Sequence, residues 1–191
     1  QTACGATDIM AHICERYFTN TKDVETTDRL CEGLLQAMIH EAPKVIANPD
    51  DYEARANIMW AGMVAHNNIV GVGRDQDWNS HGIEHELSGL YDCAHGAGLA
   101  VIMPAWMDFV YKHDVNRFAQ FAHRVFNIDL NLNNLEETAL LGIKALEDFF
   151  TKIEMPTRLS HANINDSRIE EMANKVVAHR DHVGNFVKIG A

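Results

Sequence analysis

The stretch LEETALLGIKALEDFF, residues 135–150, sets Leu135, Ala139, Leu140, Ile143, Leu146 and Phe149 at three- and four-residue steps. That period gathers apolar side chains along one face of an α-helix and leaves the charged residues on the other. The apolar face covers about one-third of the circumference, as a helix packed on a core requires. The same period recurs from Tyr52 to Val70, where Ala56, Met59, Trp60, Met63, Val64 and Asn67 align and Pro49-Asp50-Asp51 supplies a start. Continued in both directions, it predicts helices over 6–19, 27–47, 51–70, 80–91, 96–112, 115–126, 134–152 and 166–179. Pro156 closes the seventh, and Asp166 is the candidate N-cap of the last. No run alternates long enough to build a sheet, so the expected fold class is all-α, a multi-helix domain. His95-Gly-Ala-Gly98 echoes a phosphate loop, but no βαβ unit surrounds it. Its glycines are read as room for tight packing, and the chain carries no nucleotide-binding motif of its own.

A chain of 191 residues with 47% hydrophobic content is long enough for a filled core. Its net charge of -11 argues against nucleic acid or an anionic membrane as partner, since both are bound through clustered Lys and Arg. The four cysteines, Cys4, Cys14, Cys31 and Cys93, form no C-x-x-C pair and sit in apolar helical patterns. Neither a disulfide framework nor a cysteine zinc site is expected, and a reducing cytoplasm is the simpler setting. No basic segment followed by an apolar one opens the sequence as a secretory signal does. The longest apolar stretch, Cys93 to Tyr111, is broken by Gly96, Gly98, Pro104 and Asp108 and reads as a buried core helix rather than a membrane span.

Chemistry concentrates in two segments. In TDIMAHICERYF (7–18), Asp8 and His12 stand four apart, so a helix projects both from one face. In HGIEHELSGLYDCAH (81–95), His81 and His85 repeat that spacing, and His95 follows a break at which the chain can turn back. Asp8, His12, His81 and His95 together make a four-ligand divalent-metal set of carboxylate and imidazole, suited to Zn²⁺, Fe²⁺, Ni²⁺ or Mn²⁺ without choosing among them. His81-Gly-Ile-Glu84-His85 also fits the H-x-x-E-H pattern, in which two histidines hold zinc and the glutamate is the general base of a hydrolase. A third reading makes the histidines structural parts of a non-catalytic assembly module. His40 and His66 are expected at interior or boundary positions, Trp60 and Trp106 in the core, and Trp78 beside a pocket. Glu84 is expected to orient an imidazole or to be a surface charge, and the histidines at 113, 123, 161, 179 and 182 are expected on the surface.

TDIMAH, the long run from Gly71 to Tyr111, EMPTRLS (154–160) and GNFV (184–187) resemble the C-terminal helical domain of the iron-containing (group III) alcohol dehydrogenases, within the dehydroquinate synthase-like fold, and specifically the NAD(P)H-dependent butanol dehydrogenase type. The resemblance extends over essentially the whole chain. It implies that Asp8, His12, His81 and His95 hold the catalytic metal, iron or zinc or nickel in its place. It implies that His85 lies next to substrate and nicotinamide, outside the metal's own ligands, where an imidazole can relay a proton. The implied reaction interconverts a small primary alcohol and its aldehyde with NAD or NADP, in a homodimeric intact enzyme. Such enzymes carry an N-terminal dinucleotide-binding domain, and the sequence also stops short of their last helix. Residues 1–191 are therefore expected to be one helical metal-binding catalytic domain, a fragment inactive by itself.

Overall fold

A computed structural model describes residues 1–190. Among them run eight α-helices: α1 (Thr2–Tyr17), α2 (Glu25–Ala47), α3 (Tyr52–His66), α4 (Asn79–Tyr91), α5 (His95–Val110), α6 (Val115–Phe126), α7 (Leu135–Lys152) and α8 (Ile169–Val176). No sheet forms among the described residues, and the single β-type pairing is an isolated antiparallel bridge between Val183 and Ile189. The all-α expectation holds, and each predicted helix is present. No helix among the described residues is long and apolar enough to cross a membrane.

α1 is the centre of the assembly, packed against α2, α3, α4 and α5. From Ile9 to Tyr17 nearly every residue is buried, polar ones included, as a helix surrounded by others must be. Tyr17 and Phe18 at its end enter an aromatic cluster with Phe118, Phe121, Trp106 and Phe186. α6 and α7 pair closely because Gly142 lies against Ala122, where a Cβ would meet that residue's own backbone. Asp51 caps α3 by accepting from the Ala54 amide at 3.0 Å, the start that Pro49-Asp50-Asp51 indicated.

Five expectations need correction. The stripe Met59, Trp60 and Met63 on α3 faces solvent, with Trp60 65% exposed, whereas Ala54, Ile58, Ala61 and Ala65 form the packed face. Small residues on that face, with Gly62 pressed to Ile9, let α3 lie close on α1, so the bulky stripe is the outer one. α3 also stops at His66, because Asn68 adopts a left-handed conformation at φ 68°. Asp166 does not cap α8 through its side chain; α8 begins at Ile169 after Arg168 and is shorter than expected. His40 is exposed rather than interior, and Leu140 on α7 is partly exposed. Trp106 is buried as expected, and all four cysteines are free, Cys14 and Cys31 deep in the core.

Two polar ties fix the loop of residues 71–79, which leads into α4. Arg74 is buried and donates to Asp28 Oδ1 at 2.7 Å and to the Arg16 carbonyl at 3.0 Å. Arg117 of α6 grips the same Asp28 carboxylate with two bonds, at 2.5 and 2.7 Å, so one carboxylate joins α2, α6 and the loop. The second tie comes from the late GNFV segment. Asp77 Oδ1 accepts from the amides of Asn185 and Phe186, both at 2.7 Å, and Asn79 donates to the Val187 carbonyl. Gly184, at φ 78°, makes that turn, and a Cβ there would collide with Asp77 and Asn79.

Burial works against ionisation of Asp28, but the Arg117 and Arg74 guanidiniums outweigh it and hold its carboxyl below the usual value. The stability that it contributes is present above the unfolded aspartate pKa and is lost as pH falls through the depressed folded value. Asp28→Asn, which strands Arg74 and Arg117, should cost about 3–5 kcal/mol in a urea titration near neutral pH. The gap to the parent should narrow below pH ~4; an equal gap at all pH values would show that the ion pairs contribute nothing.

Candidate metal centre

α1 presents Asp8 and His12 one turn apart, the N-terminal turn of α4 presents His81, and the first residue of α5 presents His95. Their ligand atoms converge. Asp8 Oδ1 lies 3.6 Å from His12 Nε2, 3.4 Å from His81 Nε2 and 3.4 Å from His95 Nε2. Asp8 Oδ1 and His81 Nε2 are buried and have no hydrogen-bond partner. Burying a carboxylate oxygen and an imidazole lone pair against each other without a shared proton or cation is costly. The set of one oxygen and three Nε2 atoms suits a borderline divalent ion.

Two of the three other ring nitrogens are held by carboxylates, whereas His12 Nδ1 lies 3.4 Å from Arg16 Nη1. His81 Nδ1 lies 3.1 Å from Glu15 Oε1, and His95 Nδ1 bonds Glu84 Oε2. Each carboxylate fixes the tautomer with the proton on Nδ1 and turns Nε2 inward, the support that metal-ligating histidines commonly have. Glu84 is fully buried and its other oxygen accepts from the Ser88 hydroxyl, so both of its oxygens are engaged. That gives Glu84 the orienting role over the surface-charge role, and it removes the free general base that the H-x-x-E-H hydrolase reading requires. The glycines of His95-Gly-Ala-Gly98 do make room: a Cβ on Gly98 would strike the Glu84 carboxylate and one on Gly96 the backbone of Cys4.

Glu15 is the residue that motif reading passed over. It continues the Asp8–His12 stripe of α1 at the next helical step, and a glutamate on an otherwise buried face was the available signal. His66 was missed as well. It is exposed rather than interior or boundary, yet its Nε2 lies 3.5 Å from Asp8 Oδ2 and its ring packs on His12 with centroids 4.0 Å apart. His85 is exposed at the rim, its ring 5.5 Å from that of His95 and 6.4 Å from that of His81. Trp78 stands beside the cluster as expected, edge-on to His12 and His81 at 5.2 Å each, with the Arg16 guanidinium 4.6 Å over its ring. Its backbone is left-handed at φ 66°, unusual for a bulky residue and held there by the pinned loop. The histidines at 113, 123, 161 and 179 are exposed, and His182 is partly so.

Burial pushes the His12 imidazole down to about 3, aided by the neighbouring His81 and opposed by Asp8. Burial also acts against a charged His81, but the nearby Asp8 and Glu15 carboxylates prevail and raise it to about 9. For Asp8, burial raises the carboxyl, and the facing His81, His12 and His95 imidazoles together bring it below its usual value. The metal-free cluster at neutral pH therefore holds a proton on His81 that an incoming cation must expel.

Co²⁺ affinity measured by competition with a chelator should rise by about tenfold per pH unit from neutrality up to pH ~9 and then flatten; an affinity independent of pH would exclude His81 as a ligand. Glu84→Gln, whose amide can present a donor to His95 Nδ1 and reverse its tautomer, should weaken Co²⁺ binding about 10–100-fold without unfolding the chain.

The model of the "Fe-containing alcohol dehydrogenase family, C-terminal" matches residues 2–190. The chain is 40% identical over 179 residues to NADH-dependent butanol dehydrogenase B of Clostridium acetobutylicum, covering 93% of this chain and 46% of that protein. The crystal structure of NADH-dependent butanol dehydrogenase A from Thermotoga maritima superimposes with a TM-score of 0.92 at 35% identity, over 99% of this chain and 49% of that one. The aldehyde reductase YqhD of E. coli, in its substrate- and cofactor-free form, gives a TM-score of 0.91 at 33% identity, over 96% of this chain and 48% of that one. The chain spans about half the length of the relatives it matches.

Proposed function

Because the chain belongs to the iron-containing alcohol dehydrogenase family, we propose that it forms the metal-binding half of an NAD(P)-linked oxidoreductase that interconverts a small primary alcohol, butanol-like in size, with its aldehyde. The observation that carries this reading is the convergence of Asp8 Oδ1 with the Nε2 atoms of His12, His81 and His95. In it these four side chains hold iron, or zinc or nickel in its place, and the bound ion supplies Lewis acidity toward the substrate oxygen. Glu15 and Glu84 keep His81 and His95 aimed while substrate enters. His85, at the exposed rim beside His95, gives a proton to or takes one from the substrate oxygen, work suited to an imidazole. The half-buried Trp78 indole walls the alkyl side of the pocket, as apolar lining does in small-molecule sites. A nicotinamide dinucleotide, NAD or NADP, is the partner that the names of the relatives support; the homodimeric state of the intact enzyme is part of this proposal and rests on the family resemblance alone.

Hydride transfer needs both reactants held in near-attack geometry, an effect that can supply ~7–11 kcal/mol of the barrier. In this reading the dinucleotide is held by the part of the relatives that lies outside the match, and the chain alone binds metal but turns over little.

Elemental analysis of the parent, Asp8→Ala and His85→Ala should give about one metal per chain, a near-complete loss, and about one again. Emptying by His85→Ala with retention in Asp8→Ala would reverse the assignment. Joined to the N-terminal half of a relative, the chain should oxidise NADH or NADPH with butanal, and His85→Ala should lower kcat about 10²–10⁴-fold; an undiminished kcat would remove His85 from proton transfer.

A further inference from the structure

The Asp8 carboxylate faces two ways. Its Oδ1 meets His12, His81 and His95 in the buried interior, whereas its Oδ2 points to His66, whose Nε2 is 3.5 Å away. His66 Nδ1 lies 2.7 Å from the Gly62 carbonyl, an acceptor only, so that nitrogen carries the proton and donates it. The neutral ring then presents the Nε2 lone pair to Oδ2, and a carboxylate oxygen and an imidazole lone pair attract each other only through something positive between them.

Asp8, His12 and His66 offer ligand atoms within 4.8 Å of one another, a grouping separate from that of Asp8, His81 and His95. The approach is built into the packing. Gly62 on α3 lies against Ile9 of α1, where a Cβ would come within 3.0 Å of the Ile9 side chain, and that closeness brings His66 within reach of Asp8 one turn away. His66 is the last residue of α3, at the helix end whose free carbonyls favour positive charge. The side chains of His66 and His95 are 43% and 38% exposed and that of His81 only 8%, so Asp8 is open to solvent on the His66 side as well as at the His95 rim and is closed on the His81 side.

We propose that Asp8 Oδ2 and His66 Nε2, with His12 alongside and water filling the remaining positions, form an outer site for a borderline divalent cation at the mouth of the inner one. His12 has one free ring nitrogen to offer, so the two positions compete for it and the outer ion is weakly held and exchangeable. A cation held at this outer position has a short path to the inner cluster, since Asp8 can release it from one oxygen while capturing it with the other. The inference goes beyond the four-donor reading and shares only Asp8 and His12 with it.

The test is equilibrium dialysis of the chelator-treated chain against Co²⁺, with stopped-flow absorbance for the rate of uptake. The parent should approach about two Co²⁺ per chain at saturation, one tight and one weak. His66→Ala should lose the weak ion, keep the tight one and load it more slowly. His81→Ala, which touches the inner position alone, should lose the tight ion and keep the weak one. A parent that saturates at about one Co²⁺, kept by His66→Ala and lost by His81→Ala, overturns the outer site while leaving the four-donor reading intact. A weak ion that survives in His66→Ala lies elsewhere and overturns it equally. A parent holding only a His66-dependent ion supports the outer site and sinks the four-donor reading instead.

Discussion

Glu15 is almost wholly buried in the middle of the helix bundle, and its two oxygens accept from the backbone amides of Asn79 and His81 and from the His81 ring. The first turn of any helix leaves amides without intrahelical acceptors, and at α4 the residue before the helix is Trp78 in a left-handed conformation with no side-chain cap. The cap is supplied from α1 instead. One carboxylate thus ends the exposure of two amides, sets the start of α4 against α1 and orients a candidate ligand. The geometry of the cluster depends on this tie, because Asp8 and His12 ride on the same helix as Glu15, and anything that moves α1 carries donors and support together.

Around that tie the fold relies on close approach rather than large side chains. Gly98 admits the Glu84 carboxylate beside α5, Gly96 admits the backbone of α1, and Gly62 lets α3 settle on Ile9. Each contact brings two helices close at a point next to a candidate ligand, so backbone packing positions the cluster. The Asp28 carboxylate, clasped by Arg74 and Arg117, does for the far side of the 71–79 loop what Asp77 does for the near side. Two buried carboxylates therefore hold a loop whose own sequence, rich in Gly and Asp, has little tendency to order itself.

The eight helices were legible in the sequence because each has a clear 3.6-residue period and turn residues between. What periodicity could not decide is which stripe of α3 faces in. Met59, Trp60 and Met63 make the stronger apolar stripe, yet Ala54, Ile58, Ala61 and Ala65 form the buried face, where three of the four are small enough for α3 to lie close on its neighbours. Asp8, His12, His81 and His95 were legible from spacing and from resemblance together. Glu15 and His66 were not, since each acts on a residue of another helix and no local motif records that. The late GNFV segment was recognisable as a pattern, but its reason appears only in three dimensions, where Asp77 accepts from Asn185 and Phe186 across more than a hundred residues of chain.

That last contact also orders events in time. A ribosome delivers Asp8, His12 and His81 long before residues 184–187, so during synthesis water must stand in for the partners that Asp77 Oδ1 and the Asn79 amide later find in the tail. Contacts of such long sequence separation form late, after the entropy of closing the intervening loop has been overcome. The helices can be in place while the entrance to α4 is still loose, and the cluster acquires its final shape only as the tail docks.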